Sequence, residues 1–184
     1  MAKSIKAEAL KITGAFILDL PKQADERGSF SRLFCQKTLK ESGVLHTITQ
    51  INLSQNSHKN TLRGLHYQKE PHQEFKYVYC LSGKIFDVMV DLRQDSATYG
   101  QYESIILSGA EPRALFIPAG CAHGFQTLED NSNLLYLMGA NYLPEAASGI
   151  HWKSSDLNIP WPLQNPLVSD QDQKWPDFTA KAVI

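Results

Sequence analysis

The sequence carries almost no net charge: 18 lysines and arginines stand against 19 aspartates and glutamates, leaving −1 at pH 7. That balance gives no basic face for nucleic acid or an anionic membrane, although a local group of Arg, Lys and His can still hold a small anion. Cysteine is scarce as well. Cys35, Cys80 and Cys121 are odd in number and widely spaced, with no CxxC pair. This argues against a disulfide scaffold or a zinc finger and for a reducing compartment. No apolar run reaches the roughly 20 residues of a membrane span. Lysines break the apolar positions of the N-terminal "MAKSIKAEALKITGAFILDL", which makes a poor signal peptide. Repeats, low-complexity runs and Gly/Pro-rich linkers are missing too. The expectation is a soluble cytoplasmic protein of one domain over residues 1–184, with neither nucleic acid nor membrane as partner.

Hydrophobic residues make up 42% of the chain, enough for a real core, and they fall in strand-like runs. "KITGAFILDL" (Lys11 to Leu20) is rich in β-formers and stops at Pro21. "SFSRLF" (Ser29 to Phe34) and "TITQINLSQ" (Thr47 to Gln55) alternate polar and apolar residues. "EFKYVYCLSGKIFDVMVDL" (Glu74 to Leu92) reads as two strong strands meeting in a hairpin at Ser82-Gly83. "YESIILS", "RALFIPAG" and "SNLLYLMGANYL" follow, each closed by Gly, Pro or Ser. One helix is predicted, over "QKTLKESG" (Gln36 to Gly43), with the glycine as its stop. The segment from Pro144 onward holds five of the nine prolines and reads as an ordered, irregular wrap over 144–184. Short strands at regular spacing predict an all-β sandwich or barrel, of which the jelly roll offers an open mouth for a ligand. "YVYCL" and "FDVMV" are apolar on both faces, so both faces must be covered, one by the opposite sheet and the other by a second subunit.

The stretch "TLRGLHYQ" (Thr61 to Gln68) holds Arg63, Gly64 and His66. Arg63 and His66 are three apart, so a regular strand points them to opposite faces. Both reach one cavity only if the backbone is irregular, and Gly64 is the residue that would allow it. Lys76 interrupts an apolar strand, where an ammonium is costly unless it is paired or lines a wet cavity. A metal set of His66, His72, Glu74 and His123 is one reading of the local histidines. Cys121, two residues before His123, could pair with it as a nucleophile, but a small buried residue in a tight turn is the simpler reading.

"PAGCAHGF" resembles the second motif of the cupins, small jelly-roll proteins, and "GLHYQKEPHQE" loosely resembles their metal-binding first motif without its usual His-x-His pair. The likeness extends further. "RGLHYQ", "GKIFDVMVDLRQDSATYG", "FIPAGCAHGF", "LLYLMGANYLPEAASGIHW" and "PWPLQNPLVSDQD" resemble, in order, the dTDP-4-keto-6-deoxyglucose 3,5-epimerase family, from about Asp25 to Asp172. The resemblance implies a cofactor-free, metal-independent jelly-roll homodimer acting on a nucleotide-linked 4-keto sugar in deoxysugar biosynthesis, with N-terminal strands, about 1–46, at the dimer interface. It implies that His66 is the base, Asp172 its orienting carboxylate, Lys76 the cation on the enolate and Tyr142 the acid. Tyr136 matches a further site tyrosine. Arg63, His123, Gln50 and Asn52 match positions that bind the diphosphate or the sugar. Arg27 matches a residue that reaches the nucleotide, often across the dimer, and Phe30 would stack on the base or deoxyribose. The chemistry suits these residue types, because a C4 ketone acidifies the protons on C3 and C5, and a neutral imidazole can take one near working pH.

Three positions depart from the family pattern. Arg32 stands where a Glu usually accepts thymine N3–H, and Arg accepts nothing. Leu137 and Gln171 each replace a usual Lys. Arg32 therefore belongs to the substrate-binding set with altered base recognition. Four alternatives follow: a CDP-linked substrate, inversion at one centre only, a sugar 3,4-ketoisomerase, and a metal-dependent cupin enzyme.

Overall fold

The computed structural model describes residues 5–41, 43 and 46–179. The elements in chain order are β1 (Lys6–Ala9), β2 (Phe16–Asp19), β3 (Lys22–Asp25), β4 (Gly28–Ser31), α1 (Gln36–Glu41), β5 (Gln50–Asn56) and β6 (Thr61–Gln68). Then come β7 (Lys76–Ser82), β8 (Lys84–Asp91), β9 (Tyr102–Ser108), β10 (Arg113–Ile117), β11 (Cys121–Thr127), β12 (Ser132–Met138), β13 (Ala147–Gly149) and β14 (Leu167–Val168). One sheet runs β1-β2-β10-β7-β12-β5. The other runs β13-β6-β11-β8-β9, with β14 parallel to β6, while β3 and β4 form a separate ribbon. The architecture is the expected all-β jelly roll, with one short helix among the described residues. That helix ends as predicted, on Gly43 at φ +73°, whose amide donates to the Lys40 carbonyl.

Strand alternation divides the side chains between layers. Val78, Cys80, Leu115, Ile117 and Leu134 of the first sheet meet Ile85, Met89, Leu107, Cys121 and Phe125 of the second between the sheets. Each such burial stabilises by about 1.5–3 kcal/mol. The outer faces are covered by the chain itself. Tyr77, Tyr79, Phe116 and Leu137 are covered by Ile5, Leu20, Leu33 and Leu39 from the N-terminal part. Val88, Val90, Leu62 and Ala122 lie under Trp152, Leu157, Trp161 and Phe178 from the C-terminal wrap. The two-faced apolar strands are thus explained within one chain, and the second subunit expected there is not needed for them.

The hairpin expected at Ser82-Gly83 is absent. β7 pairs with β10 and β12, whereas β8 pairs with β9 and β11, so the chain crosses there from one sheet to the other. A crossing and a hairpin share the same turn signal, and pairing partners are decided by the whole sheet. Two further crossings lie beside it. Asn131 N donates to Ser57 O, Asn60 N to Thr127 O and Leu128 N to Lys84 O, which stitches that end of the sandwich shut. The strand expected from Lys11 begins only at Phe16. Gly14, at φ +81°, sits in the turn that brings β2 back along β1.

Candidate active site

The opposite end stays open, between β5, β12 and β7 on one side and β6, β11 and β13 on the other. It holds a cavity of about 400 Å³ whose lining includes Asn52, Arg63, His66, Lys76, His123 and Tyr136. Inward-facing positions place them. Lys76 precedes Val78 and Cys80 on the core face of β7, and Tyr136 lies between Leu134 and Met138 on β12.

Gly64 resolves the Arg63–His66 problem. Its φ is +129°, and the β6–β11 register shifts between His123 and Phe125 as they pass His66 and Arg63. A Cβ at this position would lie 2.5 Å from Gly124 Cα, so only glycine fits. Both Arg63 and His66 line the one cavity.

His66 Nε2 lies 2.6 Å from Asp172 Oδ1. Asp172 comes from the C-terminal wrap, which folds back over the mouth. Its Oδ2 accepts from the Gly64 amide at 3.2 Å, and its Oδ1 also accepts from Trp175 Nε1 at 3.1 Å. Burial acts to raise the Asp172 carboxyl, but the His66 contact and these N–H donors outweigh it and hold the group below the usual carboxylate range. The carboxylate is therefore held in its charged form beside the imidazole.

Lys76 and Glu74 form a buried pair at 2.6 Å on the cavity wall. His123 Nε2 lies 2.9 Å from Asp87 Oδ2 at the base of the cavity, with its ring edge-on to Tyr136 at 5.8 Å. Burial, helped by the Asp87 charge, lifts the Tyr136 phenol well above its ordinary value although Arg63 opposes it, so the hydroxyl stays protonated. Arg63 Nε donates to Asn56 Oδ1 at 2.8 Å, which fixes the guanidinium plane. Tyr142 sits on the loop after β12, 63% exposed, at the cavity mouth; its amide donates to Gln50 Oε1 at 3.1 Å. Gln50 itself lines an adjoining recess with Asn52 and Gln68.

Not every expected residue lines this cavity. Arg27, Phe30 and Arg32 are exposed and do not line this cavity. Arg27 pairs with Asp25 at 2.6 Å, its side chain 84% exposed, and Phe30 is 70% exposed on the same ribbon. Leu137 points to the outer cluster, so no lysine there would reach the cavity, whereas Gln171 does line it. The four-residue metal set does not assemble. His72 is exposed off the lining, the other three residues each hold a separate partner, and no group of three or more His, Cys, Asp or Glu in metal-binding geometry occurs among the described residues. Burial pushes the Cys121 thiol up to about 12, and the residue packs in the core, so it is no nucleophile. Sequence reasoning missed Asp87, Asn56 and Trp175. A lone Asp in the apolar run "FDVMV" was the available signal for the first of these.

The family model described as dTDP-4-dehydrorhamnose 3,5-epimerase matches residues 9–180. A dTDP-4-dehydrorhamnose 3,5-epimerase from Shigella flexneri is 44% identical over 149 residues, 80% of this chain and 82% of that protein. The crystal structure of the Bacillus anthracis enzyme of that name, with TDP and PPi bound, superimposes with a TM-score of 0.93 at 37% identity, covering 95% of this chain and all (100%) of that one. ChmJ, a 3'-monoepimerase from Streptomyces bikiniensis in complex with dTDP-quinovose, gives 0.86 at 31% identity, covering 92% of this chain and 86% of that one.

Proposed function

The chain belongs to the dTDP-4-dehydrorhamnose 3,5-epimerase family, and from that premise we propose which residues perform the reaction. The protein is an epimerase of a dTDP-linked 4-keto-6-deoxyhexose in deoxysugar biosynthesis. The observation that carries the site assignment is the 2.6 Å contact of His66 with Asp172 at a cavity also lined by Lys76 and Tyr142.

Neutral His66 takes the proton from the carbon beside the ketone. The C–H bond breaks, its electron pair becomes the new C=C bond, and the carbonyl π pair moves onto O4. Asp172 orients the ring and stabilises the imidazolium. Lys76 faces the developing oxyanion, with Glu74 holding its position. Tyr142 then delivers its hydroxyl proton to the opposite face of the carbon. O4 regains its double bond, and the centre is inverted. Net protons are conserved, since His66 gains one and Tyr142 loses one, and solvent resets both. Arg63 suits the diphosphate through its planar fork. Asn52, Gln50, His123 and Tyr136 hold the sugar.

The ribbon of β3 and β4 completes the site from a second copy. This reading is supported by the exposed Arg27 and Phe30, which line an open recess of about 510 Å³ made by the ribbon itself and none of the His66 cavity, and by exposed Ile51 and Leu53 on the edge strand β5. Arg32 lies beyond the same ribbon, so the homodimer also decides whether it meets the base. No helix among the described residues is long and apolar enough to cross a membrane, and three free thiols suit a reducing cytoplasm.

Incubation with dTDP-4-keto-6-deoxyglucose in D₂O tests the assignment. Deuterium should enter at C3 and C5, and His66→Asn should abolish incorporation. Full incorporation by that variant would refute the base role, and label at one carbon alone would make this a single-centre epimerase.

A further inference from the structure

We infer that Trp175 is a positioning residue that sets how strongly Asp172 acts on His66, and hence the pH at which the base works. The inference rests on the assignment of His66 and Asp172 above. Asp172 Oδ1 receives two donors, His66 at 2.6 Å and the Trp175 indole N–H at 3.1 Å. The same indole lies edge-on to the His66 ring, with centroids 6.4 Å apart at 71°. One side chain thus touches both members of the pair and also lines the cavity.

Its seat is built into the sheet. Gly149 opposes His66 in the β13–β6 register, and a Cβ there would lie 2.5 Å from Trp175 Cδ2, Cε2 and Nε1. The bare glycine lets the indole lie flat on β13. Both sides of Trp175 are tied down. The Asp172 amide donates to Ser169 Oγ at 3.1 Å, and the Pro176 carbonyl accepts from the His151 amide at 2.8 Å. Trp152 and Trp161 belong to the outer cluster instead, where Trp161 donates to the Trp152 carbonyl.

Two donors on one carboxylate oxygen compete for the same electron density. The indole N–H draws charge from Oδ1 that would otherwise stabilise the imidazolium. Trp175→Phe keeps a ring and removes the donor. The other charged or titratable groups facing the pair stay in place: Arg63 and Tyr67 on β6, Glu74 and Lys76 at the start of β7, His123 on β11, Tyr136 on β12, and Tyr142 on the loop.

In the pH profile of kcat/KM for dTDP-4-keto-6-deoxyglucose, Trp175→Phe should move the acid limb to higher pH by about half a unit or more. Gly149→Ala, which pushes the indole off its seat, should move it the same way. A wall-packing role alone would raise KM or lower the plateau and leave the limb in place. In the native enzyme, the Trp175 indole proton resonance, assigned by its loss in Trp175→Phe, should titrate in step with the acid limb. An unmoved limb in the folded variants, or a flat indole resonance in the native enzyme, would overturn the inference. If His66→Asn abolishes deuterium exchange while the limb stays put, the base assignment stands and only the role of Trp175 falls. If His66→Asn retains exchange, both fall.

Discussion

Asp172 gathers His66, Trp175 and the Gly64 amide on its two oxygens, and its value lies in the charge those contacts preserve. Asp172→Asn keeps the shape and can keep a hydrogen bond to the ring, but it cannot stabilise an imidazolium. It should slow deuterium exchange by about 10²–10⁴-fold with little change in KM. An exchange rate within a few-fold of the parent would remove Asp172 from the reaction. His66, Lys76 and the two tyrosines were legible in the sequence because polar residues broke otherwise apolar strands, and because several motifs appeared in register. Asp87 and Trp175 were not. Their importance depends on what lies opposite: Asp87 meets a histidine 36 residues away, and Trp175 meets a carboxylate only three residues off, but through a turn that no periodicity encodes.

Among the elements, the connection from β8 to β9 is held by one buried carboxylate. Asp91 accepts from Arg93 Nη2 at 2.7 Å, from Thr98 Oγ1 at 2.6 Å and from the Ser96 hydroxyl, while Arg93 Nη2 also reaches the Thr13 carbonyl in the turn before β2. Burial alone would raise this carboxyl, but those donors outweigh it and bring it down to about 2. The folded value is depressed below the ordinary 3.8, so the stabilisation is fully present above about pH 4 and is lost as pH falls toward 2. Asp91→Asn should cost about 2–4 kcal/mol at pH 6. In urea unfolding the gap between parent and variant should narrow as pH approaches 2, and a gap independent of pH would exclude the ionic origin. Strand existence was legible here and strand partnership was not. Turn residues at Ser82-Gly83 specify a reversal, while the choice of sheet depends on β10, β11 and β12, which come later in the chain.

For the whole molecule, both outer sheet faces are covered by the chain's own N- and C-terminal parts, and the exposed apolar side chains include Phe30 on the ribbon of β3 and β4 and Ile51 and Leu53 on the β5 edge. Sequence patterning could detect that faces needed cover, but an apolar side chain does not specify whether its cover comes from the same chain. Subunit mixing tests the proposed shared site. His66→Asn and the double variant Arg27→Ala, Phe30→Ala should each have little activity alone. Co-expressed, they should recover about a quarter of the parent's activity, because half the dimers are mixed and each holds one intact site of two. No recovery, with mixed dimers verified by mass, would place each ribbon on its own subunit.

The contact between His66 and Asp172 spans 106 positions of sequence. On the ribosome, every strand from β1 to β13 is synthesised before that carboxylate exists. A nascent sandwich can thus close its core while still chemically silent, and the base pair forms only once the wrap has docked. The segment from Asp172 onward adds no strand among the described residues, so all of β1 to β14 are made before the pair can form. In this design a stretch made after every described strand supplies the carboxylate on which the site depends.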